Sequence, residues 1–208
     1  MSLEVKGPGD ERRGSGANVP EKVVVALDRL ARGIRAHRQV VAHRAGVTVL
    51  QADLLRTLAD GQPPPAFAGP LAIELGVSQP TVSDSLAALE RKGYVRRVET
   101  PHDRRRSTVV LTGSGTELAA ELATLDDTLL EGVTRLSDTA QEELLGVLLA
   151  LIGRLLDSGV LAVARTCPTC QYFDQSGPGP RCDLLHVDLA PRDLRVNCPE
   201  HVPAVGRG

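Results

Sequence analysis

Four cysteines lie in the C-terminal part of the 208-residue sequence, and thiolates at short spacing are typical metal ligands. Cys167 and Cys170 form a Cys-x-x-Cys pair, which allows two sulfurs to face one ion. Cys182 follows after eleven intervening residues and Cys198 after another fifteen, and His201, just beyond, is an alternative fourth ligand. We therefore predict a metal site whose ligands are these four cysteines.

Three kinds of chemistry fit this ligand set. A structural Zn²⁺ would be held by four thiolates, or by three thiolates and one imidazole. A [2Fe-2S] cluster held by the four cysteines is the second alternative. Proline after Cys167 and after Cys198 favours the cluster, as does the isolated position of two of the four ligands. Metal-free thiols that form a redox-active disulfide are the third alternative.

The segment that carries the cysteines, residues 165–208, differs in composition from the rest of the chain. It contains six prolines and all four cysteines, and it shows no helical periodicity. Such a segment has little hydrophobic surface to fold around, so a bound metal would supply much of its folding free energy. We predict an irregular metal-binding module here.

The elements that precede this module have the order of a winged helix-turn-helix. Gly61 and the prolines after it end one predicted helix, Gly76 turns the chain, and Ser78 is a good N-cap for the next helix. A polar, basic turn separates two short predicted strands. The predicted helices cover 48–60, 70–75 and 79–92, and the predicted strands cover 94–98 and 107–111.

In this arrangement the second helix of the pair enters the major groove of double-stranded DNA. Its buried stripe is predicted to be Val82, Leu86 and Leu89, which leaves polar residues near the helix start to contact bases or phosphates. The basic turn between the strands can reach an adjacent minor groove. The predicted DNA-contacting residues are Ser78, Gln79, Thr81, Ser83, Asp84, Asp103, Arg104, Arg105 and Arg106.

The net charge of −2 conceals two oppositely charged regions. Residues 91–106 contain seven basic and two acidic residues, a local charge of +5, whereas residues 112–158 contain two basic and nine acidic residues, a local charge of −7. The positive region coincides with the predicted wing, as expected for a nucleic-acid contact.

Helices predicted on both sides of this domain carry more apolar surface than one small domain can bury. Leucine and valine recur at helical spacing from Leu118 to Leu136. Ser137-Asp138-Thr139 then breaks the pattern and can cap a second helix, with Glu142 three residues after Thr139. Its wide apolar face predicts a subunit interface, and therefore a homodimer. Between residues 29 and 44 five arginines occur without an acid, which indicates either a solvated face or a nucleic-acid contact.

Several classes of protein are disfavoured by the sequence. It has no apolar run of the roughly 18 residues needed for a membrane span, and residues 1–16 lack the apolar stretch of a signal peptide. We therefore predict a cytoplasmic protein without a membrane partner. No Ser/His/Asp arrangement, Gly-rich phosphate loop or thioredoxin-like frame is visible, so we predict that it is not an enzyme.

The helix-turn-helix and wing motifs resemble those of the MarR family of bacterial transcriptional regulators. The resemblance implies a homodimeric repressor that binds a pseudo-palindromic operator and is released by a small molecule or an oxidant. It also implies that Asp103 orients the wing, that Arg105 reaches the minor groove, and that Asp84 replaces a residue that is often basic. The matching residues are 71–83, Leu86, Leu89, Glu90, 93–95, Asp103, Arg104, Arg105, Leu111, Thr112 and Gly115.

The predicted fold is mainly α with a small β-wing: a winged helix-turn-helix, flanking dimerisation helices and an irregular Cys-rich tail. The predicted function is a DNA-binding transcriptional regulator whose cysteine module senses redox, metal or iron–sulfur status. One alternative is the same regulator with a purely structural zinc tail and a small-molecule effector; a redox enzyme is another.

The predicted segments are a disordered arm 1–20, an N-terminal dimerisation helix 21–47, the DNA-binding domain 48–115, C-terminal dimerisation helices 116–164 and the cysteine module 165–208.

Overall fold

The computed structural model describes residues 18–61, 66–100 and 103–204, and the chain divides into two units, Met1–His37 and Arg38–Gly208. In the first unit the described residues form the N-terminal part of helix α1 (Val19–Arg44). Asn18 and Glu21 cap this helix reciprocally, since the backbone N–H of each donates to the side chain of the other at 3.0 Å. Most of the predicted disordered arm lies outside the described residues.

The second unit contains the predicted winged helix-turn-helix. Its helices are α2 (Val49–Asp60), α3 (Ala68–Glu74) and α4 (Gln79–Arg91), and they are followed by the antiparallel strands β1 (Val95–Thr100) and β2 (Asp103–Leu111). The fold class predicted from the sequence is therefore confirmed.

Local capping chemistry explains where these helices begin and end. Thr48 caps α2 in a reciprocal capping box with Gln51, and Gly61 ends the helix in the left-handed conformation at φ 60°. The Ser78 side chain accepts from the Thr81 backbone N–H at the start of α4, as predicted. The prediction for α3 was wrong by two residues, because the helix begins at Ala68 and places Pro70 within its first turn.

The wing is longer than the sequence pattern predicted. β1 continues to Thr100 and β2 already begins at Asp103, so most of the predicted basic turn belongs to the two strands. A register shift between Glu99 and Thr100 lets Thr100 pair with Asp103. An exposed two-stranded ribbon tolerates arginines and polar residues. A strand prediction that relies on alternating apolar residues therefore gives strands that are too short.

One hydrophobic core holds the domain together. It includes Val82, Leu86 and Leu89, the predicted buried stripe of α4, which are at most 2% exposed. Leu54 and Leu55 of α2 and the strand residues Val95 and Val109 join them; the other buried members are Ala42, Val47, Ala52, Leu71, Ala72, Leu118, Ala119 and Leu122. The core therefore fixes α4 and the wing relative to each other.

The helical region after the wing is interrupted, although its apolar pattern predicted one continuous helix to Leu136. Helix α5 (Gly113–Leu122) ends in a 3₁₀ turn (Ala123–Asp126), and α6 (Asp127–Thr134) and α7 (Asp138–Asp157) follow. The N-cap of α7 is Ser137, the first residue of the predicted capping segment 137–139, and its side chain accepts from the Ala140 N–H.

Asp126, at the end of the 3₁₀ turn, explains the interruption. Its carboxylate accepts hydrogen bonds from Arg38 at 2.9 Å and from Arg56 of α2 at 2.6 Å. Although partial burial opposes it, these bonds hold the pKa of Asp126 below its usual value. Burial raises the pKa of the neighbouring Asp53. One of the five arginines between residues 29 and 44 is thus a structural ion-pair partner.

Replacing Asp126 by asparagine should lower the free energy of unfolding by about 1–2 kcal/mol at pH 7, because two charge-assisted hydrogen bonds are lost. The carboxylate contributes stability above its unfolded pKa of about 3.8, so the difference from wild type should shrink below that pH and vanish as the pH falls through the lower pKa of the folded state. Urea unfolding at several pH values measures both effects.

Glu131→Gln is the matched control for this substitution. The Arg135–Glu131 pair is 76% and 65% exposed, and its removal should cost less than about 0.5 kcal/mol. Equal losses for the two variants would contradict a structural role of Asp126.

The tail after α7 contains a small sheet that the sequence analysis did not predict. Strands β3 (Phe173–Asp174), β4 (Arg181–Cys182) and β5 (Val187–Asp188) pair antiparallel in that order. Two 3₁₀ turns, Cys167–Thr169 and Pro191–Asp193, pack against α7. Among the helices of the described residues, none combines the length and the apolar character needed to cross a bilayer.

Candidate DNA-binding surface and cysteine cavity

The first turn of α4 presents most of its predicted DNA-contacting residues to solvent. Ser78, Gln79, Thr81 and Asp84 are exposed, and Ser83 is half-buried. The Ser78 and Thr81 hydroxyl groups lie 2.7 Å apart and form a hydrogen bond. Ser78 therefore holds the helix start while its surface remains accessible, a geometry compatible with contacts to phosphates.

The predicted DNA-contacting residues 103–106 belong to the wing. The backbone of residues 103–106 forms the first part of β2, immediately after the wing tip. Arg96 on β1 is exposed. The connecting residues 101–102 lie outside the described residues.

Two of the charges counted in the positive region have structural partners instead. The Lys92 ammonium donates to the Gly46 carbonyl at 2.7 Å and to Gln51 Oε1 at 3.1 Å, which ties the end of α4 to α2. Arg97 pairs with Glu90 at 3.2 Å. A charge count along the sequence cannot separate such residues from those that remain available to DNA.

All four cysteines line one cavity of about 380 Å³ in the C-terminal module. Cys167 is buried, the other three are half-buried, and all four are free thiols. Apolar side chains cover part of the cavity wall. The remaining lining residues are Tyr172, Leu184, Leu185, Val187, Asp188, Leu189, Asp193, Arg195 and Glu200.

Backbone hydrogen bonds hold the cysteine segments around this cavity. The Cys167 N–H donates to the Arg195 carbonyl at 3.1 Å, and the Cys198 N–H donates to the Arg165 carbonyl at 2.9 Å. Cys182 pairs with Phe173 across the small sheet. Segments that are far apart in sequence are therefore fixed by the fold of the module itself.

Arg195 is a cavity residue that the sequence analysis missed. Its backbone N–H donates to the Cys167 sulfur at 3.2 Å, and its guanidinium lies 3.8 Å from the Cys198 sulfur. Burial, together with a hydrogen bond from the thiol to Glu200, raises the pKa of Cys198. No sequence spacing distinguishes this arginine from the others in the tail.

His201, the alternative fourth ligand, is engaged elsewhere. Its Nε2 lies 2.9 Å from the Thr169 hydroxyl, and His201 is not among the residues that line the cavity. Burial, and to a lesser degree the charge of Arg165, lowers its pKa. The four cysteines thus line one cavity, and the histidine does not.

The cysteine module contacts the DNA-binding domain through one ion pair. Arg165, at the start of the module, pairs with Glu74 at the end of α3, and both side chains are about four-fifths buried, with exposures of 19% and 22%. A small cavity of about 100 Å³ lies beside this pair and is lined by the end of α2 and by Cys198. No pattern in the sequence indicates this contact.

Comparisons with known proteins agree with this architecture. Residues 45–106 match the model of the MarR family. A crystal structure of a MarR family transcription regulator superposes with a TM-score of 0.59 at 26% identity, covering 67% of this chain and 91% of that one. No match was found among curated proteins.

Two further structures share the fold. The Staphylococcus aureus MepR–DNA complex matches with a TM-score of 0.56 at 24% identity, covering 64% of this chain and 97% of that one. CouR from Rhodococcus jostii RHA1, bound to p-coumaroyl-CoA, matches with a TM-score of 0.52 at 20% identity, covering 64% and 94%.

The match over 45–106 coincides with the helix-turn-helix and with most of the wing, including Arg104 and Arg105. The flanking helices extend the structural likeness to about two thirds of the chain. Residues 45–106 therefore form a MarR family domain, and the described chain shares the fold of MarR family transcription regulators.

Proposed function

We propose that this protein is a homodimeric repressor that binds a pseudo-palindromic operator and whose DNA affinity is set by the state of its four-cysteine module. The cysteines hold a metal group, and gain or loss of that group is the signal. The protein acts in the cytoplasm and carries out no catalytic reaction.

The exposed start of α4 and the basic wing support the DNA-binding part of this proposal. Hydrogen-bond donors and acceptors are both present at the helix start, on Gln79, Thr81 and Asp84. The Asp84 carboxylate is suited to accept from a cytosine amino group. Arg104, Arg105 and Arg106 supply the positive charge that phosphates require. Two copies related by a two-fold axis would read two half-sites of a palindrome.

Exposed apolar side chains support the dimer. In the second unit Leu130 of α6 is 60% exposed and Val147 of α7 is 66% exposed. In the first unit Val24 is 65% exposed. Such helical faces gain stability by burial against a second copy of the chain.

The observation that carries the regulatory part is the link between Cys198 and α3. The Cys198 N–H donates to the Arg165 carbonyl, and the side chain of Arg165 pairs with Glu74 of α3. Helix α3 packs against α4. A displacement of Cys198 can therefore shift α3, and with it the DNA-contacting helix α4, through Arg165 and Glu74. Arg165 and Glu74 are partly buried, so their pairing is more resistant to screening than a surface ion pair.

The test compares DNA affinity with and without the metal group. The full chain, purified anaerobically, is used to select a duplex from random-sequence DNA. The dissociation constant for that duplex is then measured before and after removal of the metal with a chelator. We expect a change of at least tenfold in the wild type and of less than threefold in Glu74→Gln.

Glu90→Gln is the matched control, because it removes the Arg97 ion pair within the DNA-binding domain and leaves the module untouched. It should retain the full response to the chelator. An unchanged dissociation constant in the wild type would contradict the sensing role. It would favour a structural tail and a small-molecule effector, such as the p-coumaroyl-CoA bound in CouR.

A further inference from the structure

We propose that the cysteine cavity takes an iron–sulfur cluster rather than a single zinc ion. This inference deepens the regulatory part of the proposed function, because it names the group whose gain or loss is sensed. It rests on three features of the module: the spread of the cysteines around the cavity, the segments that supply them and the groups that surround the sulfurs.

Within the described residues, the four cysteines surround a cavity and are not gathered at one point, as the ligands of a mononuclear site are. Four sulfurs at 2.3 Å from one zinc ion lie about 4 Å from one another and enclose no further volume. Here Cys167, Cys170, Cys182 and Cys198 line a space of about 380 Å³. Within residues 18–61, 66–100 and 103–204, no three Cys, His, Asp or Glu side chains are grouped so that they could hold one ion. A polynuclear group bridges thiolates that are further apart.

The ligand set also suits a cluster. Four cysteines are the usual ligands of iron–sulfur clusters, and all four face one space. His201, which a three-cysteine zinc site would need, is bonded to Thr169 and does not line the cavity. Zinc sites are typically closed by paired knuckles, whereas Cys182 and Cys198 come from separate segments.

Several groups around the sulfurs suit an anionic cluster. Leu184, Val187 and Leu189 form an apolar side of the cavity. The Arg195 backbone N–H donates to the Cys167 sulfur, and its guanidinium lies near the Cys198 sulfur. Hydrogen bonds to ligand sulfurs and a nearby positive charge stabilise the negative charge of cluster and thiolates.

The metal and sulfide content of the purified wild-type protein tests this inference independently of DNA binding. The full chain is purified without oxygen, and iron, acid-labile sulfide and zinc are measured per chain together with the visible spectrum. We expect a brown protein with iron and sulfide in equal amounts and almost no zinc. A colourless protein with one zinc per chain would overturn the inference.

Reconstitution covers the case of cluster loss during purification. Incubation of the reduced chain with ferrous iron and sulfide should restore the visible absorption, and four free thiols that bind no iron would overturn the proposal. Cys182→Ser should abolish the absorption, whereas His201→Gln should retain it. Loss of absorption in His201→Gln, with the helical circular dichroism unchanged, would assign a ligand role to the histidine and contradict the four-cysteine site.

Failure of this inference and failure of the proposed function are distinguishable. If the chain binds zinc and still loses DNA affinity on chelation, the sensing function is supported and only the iron–sulfur cluster is contradicted. If the chain holds a cluster and its removal leaves DNA affinity unchanged, the cluster is supported and the sensing function is contradicted.

Discussion

Replacing Gly115 by alanine is expected to lower the free energy of unfolding by about 3 kcal/mol, the largest stability effect we expect for a single methyl group in this chain. Gly115 is buried in the first turn of α5, where it faces the backbone of Tyr94 just before β1. A Cβ at this position would overlap the Tyr94 carbonyl oxygen and lie 2.9 Å from its carbonyl carbon.

The Tyr94 carbonyl cannot move away without breaking other bonds. It accepts from the Thr112 N–H at 3.0 Å and from the Thr112 hydroxyl at 3.1 Å, and Thr112 also caps α5. The clash therefore separates the wing from α5 or breaks the cap.

Gly113→Ala provides the control, because an added Cβ there meets no atom within 4 Å. It should change the free energy of unfolding by less than about 0.5 kcal/mol. Chemical unfolding followed by circular dichroism measures both variants. Similar stabilities of the two alanine variants would show that the close approach of Gly115 to Tyr94 is not required.

Residues with local signals were the ones that sequence analysis predicted well. Thr48, Gly61 and Ser78 begin or end helices through chemistry confined to a few neighbouring residues. The buried stripe of α4 follows from helical periodicity alone. These signals were enough for the fold class and for the order of the helix-turn-helix and wing.

Features that depend on contacts between distant residues were missed. The end of α5 is set by Asp126 and its bonds to Arg38 and Arg56, which are 88 and 70 residues away. Lys92 contributes to the positive charge along the sequence, yet its ammonium is bound to the Gly46 carbonyl. Composition and periodicity describe residues that are close together in the chain. They do not show which distant residue a charged side chain will contact in the folded protein.

The same distinction applies to the two candidate sites. Spacing placed the four cysteines in one ligand set, and the fold brings them to one cavity. The contribution of Arg195 and the contact between Arg165 and Glu74 required the tertiary structure. The wing arginines remain a prediction from sequence, supported by their position at the start of β2.

Charge reversal at Arg105 should weaken binding to the selected operator duplex by about 10- to 100-fold at moderate salt. Arg105 lies on β2 close to the wing tip, and the MarR resemblance assigns it to the minor groove. There a guanidinium meets concentrated negative potential, so Arg105→Glu both loses an attraction and adds a repulsion.

The salt dependence separates a DNA contact from a loss of folding. Each phosphate that a protein neutralises releases counterions, so Arg105→Glu should reduce the slope of log affinity against log salt by about one or more. Arg135→Glu makes the same change of net charge on α6, at a side chain 76% exposed, and should leave both affinity and slope close to wild type. Fluorescence anisotropy at several salt concentrations, with thermal unfolding as the folding check, measures these quantities. An unchanged slope in Arg105→Glu would remove this arginine from the DNA interface, because a residue that contacts the charged backbone or its groove cannot be reversed without altering counterion release.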